Sequence, residues 1–294
     1  MRELEASAGQ YPVALTLMVI CVFANAQETQ LGPEPASVHW AYSAYFGTGW
    51  YSVPGDRDVF IIRMTPRRTW SDAAIDEGGS RTIGKYLKFP LSVGLNLFDD
   101  DEPLESIALD NVSFLSVNPG IDVEIPVNAR WALRPYASVG YAHALGSDEA
   151  AWSYWAGVKS QVAFSAKNFQ WFLVNQVGYV GYTPDTGPTD DFWPVTAALE
   201  FDHPLGDPVN GAKQLRFHWR IGYTAFGSNI VFNGNPTGNP EISDQWEVGA
   251  ALGRKNSPIR IWFLHFDRLG IGYRRSSSGD LEGVTFFFRS LFDE

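Results

Sequence analysis

The sequence lacks the features that mark several common classes of protein. Its 294 residues include one cysteine, and 22 Lys and Arg stand against 33 Asp and Glu, a net charge of -11. A single cysteine excludes an internally disulfide-bonded scaffold, and the acidic balance excludes the basic surface of a nucleic-acid-binding protein. Beyond about the first thirty residues, no apolar run approaches the ~20 residues of a membrane-spanning helix, which excludes a helical membrane bundle.

The N-terminus has the pattern of a secretory signal. The short apolar run 11–23 is followed by Ala24 and Ala26, small residues at the -3 and -1 positions of a cleavage site, and then by polar residues. This pattern predicts a cleaved signal peptide over 1–26, since the apolar run is too short to anchor the chain in a bilayer. Because Cys21 lies inside that segment, the mature chain is expected to contain no cysteine.

The rest of the chain alternates between apolar and polar residues with a period of two, which predicts strands. In 213–226, for example, Phe217, Trp219 and Ile221 share one face, opposite His218 and Arg220. Aromatic residues make up 15% of the chain, and they cluster at strand ends on the apolar face, as in the girdles of transmembrane barrels. About twelve strands are predicted, at 40–51, 58–66, 85–98, 107–117, 131–145, 151–165, 169–183, 192–203, 213–227, 245–254, 260–274 and 281–292.

An even number of such strands predicts an all-β fold, a transmembrane antiparallel β-barrel with long extracellular loops. The barrel is expected over 40–294, after a short periplasmic lead-in at 27–39. With both ends in the periplasm, the acidic run 99–102 and the long segment 227–244 become outer loops. Residues 67–84 form a long connection on the inner side, so either this segment contains extra structure or the second strand is misplaced.

The alternation also predicts which charged side chains face the lumen. The expected lumen-lining residues are Arg63, Lys88, Arg134, Lys159, Arg216, Arg220 and Arg289, with the acids Glu200, Asp202 and Glu247. Seven bases against three acids predict a basic interior, which would favour anions in an open pore. Alternatively, these charges form a network with Tyr45, Tyr136 and Gln161 that plugs the barrel, because buried charges need partners. The sequence does not decide between a narrow pore and a plugged barrel.

The last residues, LEGVTFFFRSLFDE, resemble the terminal-strand signal read by the barrel assembly machinery. Gly283, Phe286 and Phe288 match its glycine and hydrophobic positions, and Phe292 continues the apolar face. The sequence departs from the pattern at Leu281, where a polar residue is usual, and in the two acidic residues that follow Phe292.

Three stretches together resemble the solitary outer-membrane autotransporter β-barrel domains: HWAYSAYFGTGWYS, RPYASVGYAHALG and LGIGYRRSSSGDLEGVTFFF. The resemblance implies a twelve-stranded translocator-type barrel without a passenger, in the outer membrane of a Gram-negative cell. The partners it implies are outer-membrane lipid and lipopolysaccharide, and the assembly machinery during insertion. We expect a monomer that binds no nucleic acid.

Catalytic motifs are incomplete in this sequence. His143 and Ser147 could serve a lipid hydrolase at the outer rim, of the phospholipase or lipid A deacylase type, although the spacing differs from the His-x-Ser-Asn run of those barrels. Asp202-His203 resembles the acid–His pairs of outer-membrane proteases, but it falls at the periplasmic end. With no metal-ligand spacing and no cofactor motif, we expect no enzyme and no cofactor. The hydrolase and an adhesion role for 227–244 remain alternatives.

Overall fold

A computed structural model describes residues 43–53, 57–97, 112–145, 150–166, 169–186, 189–206, 214–231, 241–254, 259–261 and 264–294. The predicted signal peptide at 1–26, its cleavage site at Ala24 and Ala26, and the lead-in at 27–39 lie outside the described residues.

The described residues form one short helix and a series of strands. These are α1 (Ser43–Phe46), β1 (Gly49–Val53), β2 (Arg57–Met64), β3 (Arg67–Ser71), β4 (Ala74–Ile75), β5 (Arg81–Thr82), β6 (Gly84–Lys88), β7 (Leu91–Leu97), β8 (Val112–Val117), β9 (Gly120–Asn128), β10 (Trp131–Ala144), β11 (Ala150–Ala166), β12 (Phe169–Pro184), β13 (Asp190–Phe192), β14 (Pro194–Pro204), β15 (Leu215–Val231), β16 (Glu241–Arg254), β17 (Ile259–Ile261), β18 (Leu264–Phe266), β19 (Arg268–Arg275) and β20 (Glu282–Phe287).

Antiparallel pairing of neighbouring strands closes the sheet into a barrel with twelve wall strands. In chain order the wall consists of β1, β2–β3, β6–β7, β8–β9, β10, β11, β12, β13–β14, β15, β16, β19 and β20. The last strand pairs with the first, with Tyr51 opposite Gly283 and Gly49 opposite Thr285. The predicted all-β fold, an antiparallel barrel of twelve strands, is confirmed.

Prolines interrupt three neighbouring wall strands. Pro66 lies between β2 and β3, Pro90 between β6 and β7, and Pro119 between β8 and β9. Proline has no N–H to donate to the ladder, but its carbonyl still accepts: the Phe89 N–H donates to Pro66 O at 2.9 Å and the Asn118 N–H to Pro90 O at 2.9 Å. Each wall strand therefore continues beyond its proline.

This continuation accounts for residues 67–84, for which the sequence left two explanations. The segment contains β3, which extends the second wall strand and pairs with β6, and the small β4–β5 hairpin. Extra structure, not a misplaced second strand, makes this connection long.

The first predicted strand, 40–51, was partly wrong. Ser43–Phe46 form α1 and the wall begins only at Gly49, while residues before 43 lie outside the described part. Between them the backbone turns at Gly47, whose φ of 85° is readily adopted only by glycine. The turn directs α1 into the barrel, where the Tyr45 ring lies 5.3 Å from that of Phe192.

Two other predicted strands had wrong limits. The strand predicted at 107–117 continues past Pro119 as β9 to Asn128, because the proline breaks the pattern without ending the strand. In the segment predicted at 260–274, β17 and β18 form a hairpin of their own, and the wall strand begins at Arg268.

The last strand also differs from the prediction of 281–292. It ends at Phe287, and the chain then turns, with the N–H groups of Asp293 and Glu294 both donating to Ser290 O at 3.0 Å. Phe288 and Phe292 are therefore not on the strand, and Phe292 is only 3% exposed. Gly283 and Phe286 do lie on β20, the glycine facing inward and the phenylalanine outward.

The connections fall at two ends of the barrel. We call the end with the turn 129–130, at which β11 ends and β12 begins, the terminal end, since β20 also finishes there, and the opposite end the loop end. Strands β15 and β16 extend into the predicted outer segment 227–244, so that 232–240 are the residues between the two strands. The acidic run 99–102 lies outside the described residues.

The outer surface of the barrel carries two bands of paired aromatic rings. Near the terminal end, Phe164 stacks on Trp171 at 3.8 Å and Phe201 on Trp219 at 3.6 Å. Near the loop end, the paired rings are Tyr141 with Trp152, Tyr179 with Trp193 and Tyr223 with Trp246. Between the two bands the exposed side chains are aliphatic, among them Val158, Val177, Ile221, Val248 and Ile271. This distribution is typical of a surface that contacts lipid.

The interior is divided into two halves of different chemistry. The half near the loop end holds an apolar cluster formed by Phe46, Tyr51, Ile61, Ala142, Ala151, Trp155, Val180, Tyr182, Phe192, Phe226, Ile230, Ile242 and Leu281. The half near the terminal end holds most of the buried charges.

Among the described residues, no helix has the length and apolar character needed to cross a membrane.

The seam between β1 and β20 sets a test of the fold. A Cβ at Gly283 would lie 2.7 Å from the main-chain oxygen of Trp50, so Gly283→Ala must push the two strands apart. Overpacking of this kind costs about 1–3 kcal/mol, and we expect a lower unfolding temperature, measured by the heat-dependent shift in electrophoretic mobility.

Gly222→Ala is the matched control, since a Cβ there lies 3.2 Å from the Ala198 Cβ and 3.9 Å from the nearest main-chain oxygen, that of Ala197. Equal unfolding temperatures for the two variants would contradict tight packing of β1 against β20 at Gly283.

Candidate functional site

The terminal half of the interior is occupied by residues 288–294. Beyond β20 this segment folds back into the barrel, and charged side chains from six wall strands contact it. We call 288–294 the terminal segment. It brings the predicted lumen-lining residues into one network.

Arg134 of β10 makes the most extensive contacts with the terminal segment. Its guanidinium donates to Phe292 O at 2.7 Å and to Asp293 Oδ1 at 2.9 Å, and it pairs with Glu124 of β9. The Phe292 ring lies 4.1 Å from the guanidinium carbon. Arg134 is 2% exposed, so its charge depends on these partners.

Asp293 titrates in a cationic environment. Burial alone would raise the pKa of its carboxyl group, but the Arg134 guanidinium and the Ser290 hydroxyl lower that pKa well below the ordinary range. Asp293 therefore remains ionised and paired at every pH in which aspartates are normally charged.

Two lysines hold the main chain of the same segment. The Lys88 ammonium lies 2.9 Å from the Glu294 main-chain oxygen and 2.6 Å from Asp122 Oδ2, and the Lys159 ammonium lies 2.9 Å from Leu291 O and 3.0 Å from the Glu294 oxygen. Lys159 has no ion pair with a side-chain carboxylate of a described residue; main-chain oxygens satisfy it.

A third group of contacts links the terminal segment to α1. Arg220 bonds Glu294 Oε1 at 2.8 Å and also pairs with Glu247, which in turn accepts from Arg274 Nε at 3.0 Å. Arg274 also donates to the Phe46 carbonyl at 3.1 Å. Burial raises the pKa of the Tyr45 hydroxyl in α1 to about 12, in spite of the nearby Arg274 and Arg63.

The remaining predicted residues lie at the edges of this network. Glu200 accepts from the Leu291 N–H at 3.1 Å, and Asp202 pairs with Arg216 at 2.5 Å. Arg63 contacts the Tyr45 carbonyl at 3.5 Å and the Trp155 ring, and it has no carboxylate partner among the described residues. Arg289 likewise forms no ion pair with a described residue, and burial lowers its pKa.

Sequence reasoning missed several members of the network. Asp122 and Glu124 lie on β9, which was taken for a connection, although their spacing of two residues is a strand signal. Arg274 was also missed, together with Arg268, which lies 3.5 Å from Glu200. The two acids of the terminal segment follow the predicted last strand, 281–292, and were not assigned to the lumen. With these groups included, the excess of bases expected from the sequence is halved.

A small cavity of about 200 Å³ remains between the terminal segment and α1. Its lining combines the polar side chains Tyr45, Tyr136, Gln176, Lys159 and Glu247 with Trp155. The Gln176 amide donates to the Tyr136 hydroxyl at 2.8 Å. Gln161, the third polar residue predicted here, does not line this cavity.

The catalytic candidates are not assembled by the described residues. His143 is exposed on the outer face and forms no hydrogen bond to another described residue, while Ser147 lies outside them. His203 is exposed, and its neighbour Asp202 is engaged by Arg216 and lies 3.5 Å from His218. No group of three or more His, Cys, Asp or Glu in the described part could hold a metal ion. The hydrolase alternative stays a prediction.

Comparison with solved structures finds similar barrels. The β domain of the Bordetella autotransporter BrkA matches at 11% identity, with 81% of this chain and 91% of that chain covered and a TM-score of 0.49. The translocator domain of the autotransporter NalP from Neisseria meningitidis matches at 11% identity over 81% and 82%, with a TM-score of 0.47. LpxR from Salmonella typhimurium matches at 12% identity over 80% and 90%, with a TM-score of 0.39.

No protein-family model matches the chain, and no curated protein matches it by sequence.

Asp293 provides a test of the network with a defined pH dependence. Asp293→Asn removes the carboxylate that Arg134 binds, and the loss of a charged hydrogen bond costs about 1.5–3 kcal/mol. The pKa of Asp293 is depressed in the folded state, so its contribution is complete above the unfolded value of about 3.9 and declines as the pH falls further.

We therefore expect the variant to be less stable than the wild type at pH 7, with the difference shrinking below about pH 4. Urea unfolding of the reconstituted protein at pH 7 and at lower pH measures it, with the exposed Asp185→Asn as control. A difference that stays constant as the pH is lowered would contradict the pairing.

Proposed function

We propose that this protein is an integral outer-membrane β-barrel, similar to an autotransporter translocator domain without a passenger, whose lumen is closed by its own chain. The observation that carries the proposal is the filling of both halves of the interior, by α1 and its apolar cluster near the loop end and by the terminal segment at the other. Its role in this view is structural, as a monomer surrounded by outer-membrane lipid and lipopolysaccharide.

Insertion into a membrane is supported by the outer surface. A water-soluble barrel would expose a continuous aliphatic band at a large free-energy cost, whereas in lipid that band and its two aromatic girdles are favourable. The signal peptide predicted at 1–26 and the β20 residues Gly283 and Phe286 support export and insertion by the barrel assembly machinery.

The closed lumen is supported by charge pairing. In an open, water-filled barrel the basic side chains would be hydrated and would favour anions. Here Arg134 and Arg220 are buried and paired, and Lys88 and Lys159 hold main-chain oxygens of the terminal segment. Releasing that segment would leave Arg134 and Arg220 without the carboxylates of Asp293 and Glu294, and a buried charge that loses its partner is destabilising.

Val158→Arg tests insertion. Val158 lies between the aromatic bands and is 46% exposed. An arginine facing lipid near the middle of a bilayer costs about 2–4 kcal/mol, so we expect this variant to be destabilised by that amount in urea unfolding from lipid vesicles. In a soluble barrel the same change at an exposed site would be nearly neutral.

Leu145→Arg is the matched control, since Leu145 is similarly exposed but lies beyond Tyr141 at the loop end. Equal stabilities for the two arginine variants would contradict a lipid-facing band at Val158.

Conductance in a planar bilayer with a KCl gradient tests the closed lumen. We expect no steady conductance from the wild type, provided that its heat-dependent mobility shift shows it to be folded. The double variant Asp293→Asn, Glu294→Gln weakens the terminal segment's hold on Arg134 and Arg220. It should also remain silent, because the apolar cluster still fills the loop-end half.

Glu241→Gln with Glu282→Gln, two exposed acids at the loop end, is the charge-matched control. Steady anion-selective conductance of the wild type, lost in Arg216→Glu with Arg220→Glu, would replace the closed barrel with an open basic pore.

A further inference from the structure

The described wall has an opening beside the seam, at the terminal end. β1 begins at Gly49, opposite Ile61, so no strand of the described residues lies beside β2 on that edge beyond this point. Thr48 caps the edge, because its Oγ1 bonds both the Arg63 N–H and the Arg63 carbonyl at 2.9 Å. The last link across the seam is the Phe286 N–H to the Thr48 carbonyl at 2.9 Å.

A cavity of about 620 Å³ fills this opening. Its sides are the continuation of β2 into β3, from Ile62 to Thr69, and the end of β20 with the residues that follow it. We call this cavity the seam cleft. Its volume lies within the ~300–1,000 Å³ of small-molecule binding sites, and it joins the lumen to the outer surface of the wall.

The seam cleft is basic. Five arginines line it, Arg63, Arg67, Arg220, Arg274 and Arg289, and the lining acids are Asp267 and Glu294. Glu294 is paired with Arg220, and Arg274 with Glu247, so these two arginines are neutralised from the lumen side. Arg67 has a partly exposed partner in Asp293 at 3.4 Å.

Arg63 and Arg289 are the two cleft arginines that form no ion pair with a described residue. The Arg63 Nε and the Arg289 Nη1 are shielded from solvent, and neither has a hydrogen-bond partner among the described residues. The Thr285 hydroxyl, which also lines the cleft, is buried in the same unpartnered state. A buried charged donor without an acceptor lowers the stability of the protein. An anionic group with several oxygens in the cleft would accept hydrogen bonds from both guanidinium groups.

The rim of the cleft is apolar on the outer side of the wall. Met64 is 44% exposed and Phe286 38% exposed, and they flank the opening on its two sides. Leu91, paired with Met64 across the sheet, extends this surface. A ligand that places an anion among the arginines would therefore have apolar surface next to it where the cleft meets the outer face.

We propose that the seam cleft binds the phosphate headgroup of an anionic glycerophospholipid, with the acyl chains lying outside along Met64, Phe286 and Leu91. Arg63 and Arg289 donate to the phosphate oxygens, as guanidinium groups do in phosphate sites. This inference rests on the proposed insertion in a membrane, since only a lipid-embedded barrel presents this rim to acyl chains.

Native mass spectrometry of the detergent-extracted protein tests the proposal, with phosphatidylglycerol added as the probe. We expect one retained phosphatidylglycerol per chain and much weaker retention of zwitterionic phosphatidylcholine. Arg289→Gln and Arg63→Gln should each weaken retention about tenfold, the effect of losing one charged hydrogen bond.

Arg130→Gln is the matched control, because Arg130 is an exposed arginine in the turn 129–130 at the same end of the barrel. Its retention should equal that of the wild type. Heat-dependent mobility shows which variants are folded; if Arg63→Gln fails to fold, Arg289→Gln still decides the result, because Arg289 forms no ion pair within the described part.

Four outcomes would overturn the proposal. Equal retention by Arg289→Gln and Arg130→Gln would place the lipid elsewhere, and equal retention of the two lipids would remove the role of charge. Displacement of phosphatidylglycerol by equimolar inorganic phosphate would make the cleft a site for the free anion. Failure of the protein to enter the membrane fraction would refute the proposed function itself, whereas insertion without lipid retention would refute only this inference.

Discussion

Closure of the hydrogen-bond ladder between β1 and β20 is the constraint on which the rest of the structure depends. Unpaired backbone groups at a sheet edge are costly in lipid, so the first and last strands pair along the length that they share, although both are short. Gly49 and Gly283 allow the two strands to approach closely, because neither has a side chain. A Cβ at either position would lie 2.7 Å from a main-chain oxygen of the other strand. Closure separates the apolar outer surface of the barrel from its interior, where buried charged side chains must find partners within the protein.

The short seam has two further consequences. Because β1 starts only at Gly49, the chain before it turns inward at Gly47 and places α1 in the lumen, where Phe46 joins the apolar cluster. Because β20 stops at Phe287, the chain leaves the wall after Phe288, whose carbonyl still accepts from the Arg268 N–H, and folds back toward the basic side chains. The same two features that fill the lumen leave the seam cleft open between β2–β3 and β20. The filled lumen and the open cleft are therefore consequences of a single geometry.

Much of this arrangement could be predicted from alternation, and the misses have a common origin. Phe217, Trp219 and Ile221 point outward and His218 and Arg220 inward, as the pattern indicates, because neighbouring residues of a strand face opposite sides. The pattern failed where it is interrupted: at Pro119, beyond which the wall strand continues as β9 with Asp122 and Glu124, and after Phe287, where the chain leaves the wall and Phe292 turns inward. A hydrophobic residue on a lipid-facing strand and one packed on Arg134 in the lumen look the same in sequence.

The sequence by itself determined the number of wall strands and the two faces of most of them, because a period of two is a local property of consecutive residues. Only the tertiary structure decided how the charges are satisfied. Arg134 and Asp293 are 159 residues apart and Arg220 and Glu294 are 74 apart. They meet only because barrel closure brings distant strands around one lumen. Pairs between residues so far apart in the chain form only when the barrel closes, and they cannot be predicted from the pattern of consecutive residues.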